Sequence, residues 1–570
     1  MPTTRAAATG LLLLAACGCG AATNTVRIAA EGDSRTLRTR PEGAPQRSPH
    51  RPSILLVAID GVERPLLYDM LRRGEMPGMA DLLGGSRGPY AHAHFDETIS
   101  AALPSSTMTG WATALTGVGP GQHGMTGNEF FLRDKRVFAA PIPTTFEDSA
   151  PTLACFTTDQ YCNRLLQAPT VYQRMRARDP HVLVWVAMHH IYAGADKLLL
   201  AERTAFASAF EGVMASAVKK MAQGKDSRAV YAKLDKEVAR VVNDELDDRE
   251  GPVPDVLTVY FSGTDLYGHI AHEGPDRARR AYLREVLDPE IGQLARHLRA
   301  RGALANRWVV VTADHGHQEV LDDEAHMLGV EGEGDPPRVL EHAGFRVRKF
   351  ALDVDEDADF QSVLAYQGAM AFVYVADRST CPAPKRPCVW SRPPRYQEDV
   401  LPVAEAFHAA TTTGEHAPRL RGKIDLVLTR RPRPYAEDDA PLEVYVGGGR
   451  TLPVASWLAD NPRPDYVQLE ERLRDLATGR HGERAGDVVL VAVNGDRDTR
   501  EERFAFSAPK YRSWHGSPGK KDSNIPLIVS NAAEPAARIR ARVARILGES
   551  PRQQKISDVL LALRFPEDGL

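Results

Sequence analysis

Beyond its first residues the sequence has no long apolar run. After position 17 nothing approaches the ~20 consecutive apolar residues that a bilayer crossing needs. It also lacks an excess of charge: 71 Lys and Arg against 75 Asp and Glu leave a formal net charge of -4. No dense Lys/Arg stripe stands out, which gives no footing for a nucleic-acid-binding patch. Cysteine is scarce, six in 570 residues, and neither the Cys155/Cys162 pair nor the Cys381/Cys388 pair has metal-site spacing. No internal repeat is visible. What is there is ordinary for a globular chain, 43% hydrophobic and 26% charged, and long enough for two or more folding units or one large α/β domain with insertions.

The N-terminus stands apart. Met1 to Arg5 carries one positive charge and precedes A-A-A-T-G-L-L-L-L-A-A-C, too short to span but suited to a secretory signal. Leu14-Ala15-Ala16-Cys17 resembles a bacterial lipobox, so residues 1–17 are expected to be a lipoprotein signal with Cys17 as the lipidated residue. Residues 18–50, rich in Gly, Ala, Thr, Arg and Pro without periodicity, are expected to form a flexible tether. The expectation is an exported lipoprotein on a bacterial membrane, the outer one on the reading of Gly18, facing periplasm or cell surface and touching the membrane by its lipid only. In that oxidising setting the neighbouring pairs Cys155/Cys162 and Cys381/Cys388 are expected to close two local disulfides.

Apolar, β-branched runs without alternation occur at 53–61, 181–188, 255–265 and 307–316, and again at 486–495 and 524–531. Continuous hydrophobicity is the pattern of strands buried on both faces. Helix-compatible segments lie between them, at Pro65–Arg73, from Thr204 to Glu245 and at Asp276–Arg301. The expected fold is α/β, a mostly parallel central sheet flanked by helices. Between 346 and 484 the pattern loosens around Pro-rich pieces, which predicts an inserted, cap-like α+β lobe. It would divide a catalytic core of 51–345 from its continuation at 485–570.

Functional groups in such sheets gather at the carboxyl ends of strands. Asp60, Asp265, Asp314 and His315 all end or follow predicted strands, and all are metal-ligand types. His269 follows Asp265 by four residues, on the same face if a helical turn begins there. His515 stands in S-W-H-G-S-P before the last predicted core strand. Thr107, in L-P-S-S-T, opens a helix-compatible run. A hydroxyl there usually caps the helix, but the same place can hold a phosphate against backbone N–H groups.

In these motifs, taken in order, the chain resembles the alkaline phosphatase superfamily, and within it the type I phosphodiesterase/nucleotide pyrophosphatase branch. I-D-G at 59–61, L-P-x-x-T, L-T-G-x-x-P-x-x-H-G-M-T-G-N, D-x-x-G-H at 265–269, A-D-H-G at 313–316 and H-G-S-P carry the resemblance, over about 55–345 and 485–530. It implies that Asp60, Thr107, Asp314 and His315 hold one divalent ion and Asp265, His269 and His515 a second, zinc or alternatively manganese. It also implies Thr107 as nucleophile and a phosphothreonine intermediate in the hydrolysis of a small phosphoester. Carboxylate and imidazole together suit zinc, two ions can clamp an in-line displacement, and a metal would lower the hydroxyl pKa.

Three residues after Thr107, Gly110 offers no side-chain donor, and Asn128 is the candidate to contact a phosphoryl oxygen, against a simple turn role. His123, His272 and His317 are read as structural, outer-shell or surface histidines outside the ligand set. The alternatives are a monoesterase or phosphonate hydrolase on the same fold, or a surface binding lipoprotein that has lost catalysis. The last would show a missing ligand, and all seven positions are filled. A sulfatase would need Cys or Ser followed by Pro and Arg, which S-T-M-T-G lacks. From Pro89 to Leu132 there is no Lys or Arg, which leans the site towards diesters unless Lys520, Lys521 or a residue of the lobe supplies charge. The sequence sets neither the leaving group nor an oligomeric state.

Overall fold

The computed structural model describes residues 34–39, 51–85, 90–145, 150–201, 227–330, 332, 334–351, 354, 358–431, 441–495, 499–508 and 511–568. Cys17, the signal and most of the tether lie outside them. Among the described residues no helix is long and apolar enough to cross a membrane.

The strands are β1 (Ser34–Thr36), β2 (Ser53–Ile59), β3 (Ala93–Asp96), β4 (Val184–Ala187), β5 (Lys197–Leu199), β6 (Val256–Phe261) and β7 (Arg307–Thr312). A second group follows: β8 (Ser362–Tyr366), β9 (Met370–Val375), β10 (Ile424–Arg430), β11 (Leu442–Gly447), β12 (Arg450–Pro453) and β13 (Val488–Ala492), and then β14 (Leu527–Ser530). The first sheet runs β1-β5-β4-β6-β2-β7-β14-β3. Its centre, β5-β4-β6-β2-β7, is parallel, while β1, β14 and β3 pair antiparallel at the two sides. Every residue of β4, β6 and β7 is buried, the consequence of helices covering both faces.

The second sheet, β8-β9-β13-β10-β11-β12, is wholly antiparallel. Here the boundary expected at 484 is corrected. The run at 486–495 does not resume the first sheet; it supplies β13, a central strand of the second. Its continuous hydrophobicity arises because this sheet too is covered on both sides, by a cluster with Leu426, Leu473 and Val489 and another with Val403, Phe407 and Leu490. Burial on both faces looks the same in either sheet, so the run could not say which it joined. Leu103 and Phe131 of the Thr107 region pack into the first of these clusters, so the lobe leans directly on that segment. Disulfides join Cys155 to Cys162 and Cys381 to Cys388.

Four helices matter below: α1 (Thr107–Thr116), α2 (Ser227–Asp247), α3 (Gly263–Ile270) and α4 (Leu469–Ala477). The segment expected as a helix from 276 to 301 is helical throughout, with a π-helical turn at Leu283–Leu287.

Candidate metal centre

Asp60 directly follows β2, Asp265 and His269 sit on α3 after β6, and Asp314 and His315 follow β7. All three strands are parallel, so these groups share one sheet edge. Because β14 runs antiparallel to β7, its amino end lies at that same edge, and the loop before it delivers His515 there.

The result is two buried clusters. In the first, His315 Nε2 lies 3.4 Å from Asp60 Oδ1 and 3.2 Å from Asp314 Oδ2. Thr107 Oγ1 is 3.2 Å from the same nitrogen. In the second, Asp265 is approached by His269 Nε2 at 3.4 Å, by His515 Nε2 at 3.9 Å and by His317 Nε2. The candidate ligand atoms of each cluster lie within 4.8 Å of one another.

Behind each ring an acceptor fixes its tautomer. Nδ1 of His269 faces the Ser513 carbonyl at 2.7 Å, that of His515 the Ser105 carbonyl at 3.0 Å, and that of His315 the Gly316 carbonyl at 2.9 Å. A carbonyl only accepts, so each Nδ1 donates and each neutral ring turns a bare Nε2 towards the carboxylates. The acids are arranged likewise. Tyr260 donates to Asp60 Oδ2 and the Gly61 N–H to Asp314 Oδ1. Asp60 Oδ1 and Asp314 Oδ2 are left buried with no hydrogen-bond partner. Burial, and then the charges of Asp314 and Asp265, hold the Asp60 carboxyl well above its usual range. Burial pushes Asp314 up to about 6. For Asp265 burial acts in the same direction, but His269 and His317 outweigh it and carry that carboxyl well below the usual value. Acceptor-only atoms facing one another in a buried pocket are what a cation would resolve, so the residues present fit divalent ions.

Thr107 is the first residue of α1, not its cap. The N-cap is Ser106, and the capping bond comes from elsewhere: Asn128 Oδ1 accepts the Met108 N–H at 2.9 Å. That leaves the Thr107 hydroxyl facing His315. It also fixes the Asn128 amide, whose nitrogen has no protein partner among the described residues while its own N–H donates to Gln367. Gly110 has a packing reason. A Cβ there would lie 2.8 Å from Asp314 Cβ and 2.9 Å from its carbonyl, so glycine is what lets α1 touch the Asp314 segment.

The sequence missed several contributors. Arg472 of α4 is fully buried and donates to Ala102 O at 2.9 Å, Ser105 Oγ at 2.7 Å and Ser523 Oγ at 2.9 Å. It braces the Thr107 loop from behind, and burial brings its guanidinium down to about 9. A cation from the lobe therefore exists, but both its Nη groups are spent on protein oxygens, while its Nε is buried without a partner among the described residues. Lys521 pairs with Asp276 at 2.6 Å, and Lys520 lines a separate groove of about 650 Å³ with Glu63, Arg277 and Arg280. Neither joins the clusters. His123 is structural as expected: it accepts from Met125 N–H and donates to Thr113, with burial lowering it to about 3. His272 is exposed. His317 is neither at the surface nor apart. It is buried, and its place two residues past His315 was the available signal.

The family model of type I phosphodiesterase/nucleotide pyrophosphatase matches residues 54–333. That segment belongs to the phosphodiesterase family. The chain is accordingly a hydrolase of phosphoric ester or anhydride bonds. The phosphodiesterase segment contains six of the seven expected site residues and ends before His515, which the antiparallel β14 brings in. Among solved structures, the chain is similar to murine ectonucleotide pyrophosphatase/phosphodiesterase 5, both as an inactive variant in complex with AMP and as the protein alone. Each match has 11% identity and a TM-score of 0.47, over 90% of this chain and 94% of the other. A comparison with curated protein sequences gives no match.

Proposed function

We propose that the protein hydrolyses phosphodiesters or pyrophosphate-type linkages through Thr107, with two divalent ions, zinc or manganese, at the paired clusters. The observation that carries this is the placement of the Thr107 hydroxyl at the start of α1, against the cluster of Asp60, Asp314 and His315. Asp60, Thr107, Asp314 and His315 would hold one ion and Asp265, His269 and His515 the other. Bound there, such ions withdraw charge from phosphoryl oxygens and lower the pKa of a neighbouring hydroxyl.

The chain's own atoms do the rest. Thr107 Oγ1 gives up its proton to solvent and bonds to phosphorus as the ester oxygen leaves with the bonding electron pair and takes up a proton from solvent, giving a phosphothreonine. Water then breaks the Thr107 O–P bond, restoring the hydroxyl and releasing phosphate or its monoester. Asn128 donates from its free amide nitrogen to a non-bridging oxygen, and α1 directs its positive end at the same group.

Among the described residues no Lys or Arg side chain hydrogen-bonds to a side chain of either cluster, which supports a monoanionic diester over a dianionic monoester. An aryl phosphate and an alkyl aryl phosphate diester, assayed side by side after chelation and after zinc or manganese is added back, test this. The expected result is metal-dependent turnover with higher kcat/KM on the diester. A monoester advantage of roughly a hundredfold or more would reject the diester reading.

Export and lipidation at Cys17 belong to the same proposal. Cys17→Ser should release the protein from the membrane fraction or block signal cleavage. A wild-type protein recovered soluble, without lipid by mass spectrometry, refutes it.

A further inference from the structure

We propose, resting on the phosphoester reading above, that Gln367 is a positioning residue for the reaction: from the turn between β8 and β9 it sets Asn128 in place beside Thr107. The second sheet thereby supplies part of the site's alignment without touching substrate. Gln367 is 1% exposed, and its side-chain amide is held by two main-chain groups of the Asn128 segment. Its Oε1 accepts the Asn128 N–H at 2.8 Å, and its Nε2 donates to the Glu129 carbonyl at 2.5 Å. A backbone N–H only donates and a carbonyl only accepts, so the amide fits one way round. One side chain pairs with that segment as a neighbouring strand would.

The linkage runs on to the nucleophile. Asn128, pinned through its backbone, turns Oδ1 to the Met108 N–H at 2.9 Å, in the first turn of α1. Two hydrogen bonds in series therefore join Gln367 to the residue after Thr107. The second of them aims the amide nitrogen with which Asn128 meets a phosphoryl oxygen.

The same turn reaches the other cluster. The Ala369 N–H donates to the His515 carbonyl at 2.9 Å, so residues 367–369 grip Asn128 at one end and the His515 main chain at the other. Glycine at three contact points permits the approach. A Cβ on Gly127 would collide with Gln367 Oε1, one on Gly368 with the His515 carbonyl oxygen, and one on Gly516 with that of Gln367. The turn is itself braced: the Gln367 N–H donates to the Met370 carbonyl at 2.8 Å, and the Gly368 carbonyl accepts the Phe506 N–H at 2.7 Å. Stiff ties of this kind serve alignment, since an error of about 1 Å in a reacting group costs on the order of a hundredfold in rate.

The test is a double-mutant cycle on the full, metal-loaded chain, assayed on an alkyl aryl phosphate diester. Gln367→Met keeps the length of the side chain but pairs with neither main-chain group. Its kcat should fall about thirtyfold, with KM within about threefold and the metal content of the wild type, because alignment alone is lost. In an Asn128→Asp background the same substitution should cost less than about threefold, since the group it positions is already gone. Gly127→Ala crowds Gln367 Oε1 off the Asn128 N–H with a single methyl, and it completes the same cycle with the same expected losses should Gln367→Met fail to fold. Parental kcat in either variant, a loss carried by KM, or losses that multiply in full in the Asn128→Asp background overturn the proposal and leave Gln367 as a packing residue of the turn. Asn128→Asp at parental kcat/KM is a different failure. It removes the substrate contact on which the proposal rests, and both fall.

Discussion

The imidazole of His315 is stacked on that of His515, with ring centroids 3.7 Å apart and planes inclined by 24°. One ring belongs to each cluster, so the two sites share a wall. Thr107 Oγ1 stands 3.2 Å from the first ring, and the Ser105 carbonyl, two residues earlier, accepts from the second. The short segment Ser105–Thr107 therefore touches both clusters, the position a nucleophile between two ions needs.

Removing that hydroxyl should abolish turnover. Thr107→Ala is expected to lower kcat by more than about a thousandfold with an unchanged unfolding transition, and Thr107→Ser to retain appreciable activity. Turnover of the alanine variant within about tenfold of the parent sinks the covalent route.

Gly110→Ala is a test of contact rather than chemistry. The added methyl cannot fit against Asp314, so α1 and the Asp314 segment must part by some tenths of an ångström or more. Loss of kcat by about a hundredfold is expected, since small misplacements of reacting groups cost on that scale. Equilibrium metal titration should show weaker binding at the cluster of Asp60, Asp314 and His315 and unchanged binding at the other. A variant with parental kcat and metal affinity shows that the contact is dispensable.

Asn128 has two faces, and one substitution separates them. Asn128→Asp keeps an oxygen for the Met108 N–H but replaces the free donor with an acceptor. Stability should change little, while kcat/KM falls by about tenfold to a hundredfold on every phosphoester offered. Equal kcat/KM in the two proteins removes Asn128 from substrate contact.

Asp235 of α2 gives the pH prediction. It is fully buried, accepts the Gly263 N–H at the start of α3 and the Tyr282 hydroxyl, and burial raises its carboxyl to about 7. A raised folded-state pKa means stability that is complete below the unfolded value near 3.8 and is lost progressively as pH rises to about 7. Asp235→Asn cannot ionise, so its stability relative to the parent should climb between those limits and level off above. Urea unfolding at both ends of the window measures it. A constant difference between the two proteins contradicts the assignment.

The sequence by itself determined the candidate ligand types and their order along the chain. Asp60, Asp265, Asp314 and His315 were legible because strands buried on both faces read as unbroken apolar runs, and polar ligands at their ends interrupt those runs sharply. Tertiary structure alone decided the rest. Whether the run at 486–495 joined the first sheet or the second depends on pairing, and burial on both faces is common to both. The antiparallel course of β14, which swings His515 to the ligand edge, is likewise a property of pairing and not of composition. Gly110 reads as a missing donor until the helix is seen against Asp314. His317 and Arg472 escaped because their partners, Ser513 and Asp265 for one, Ala102, Ser105 and Ser523 for the other, lie tens to hundreds of residues away. Hydrogen-bond direction, which assigns protons to the rings, exists only once those distant atoms are brought together.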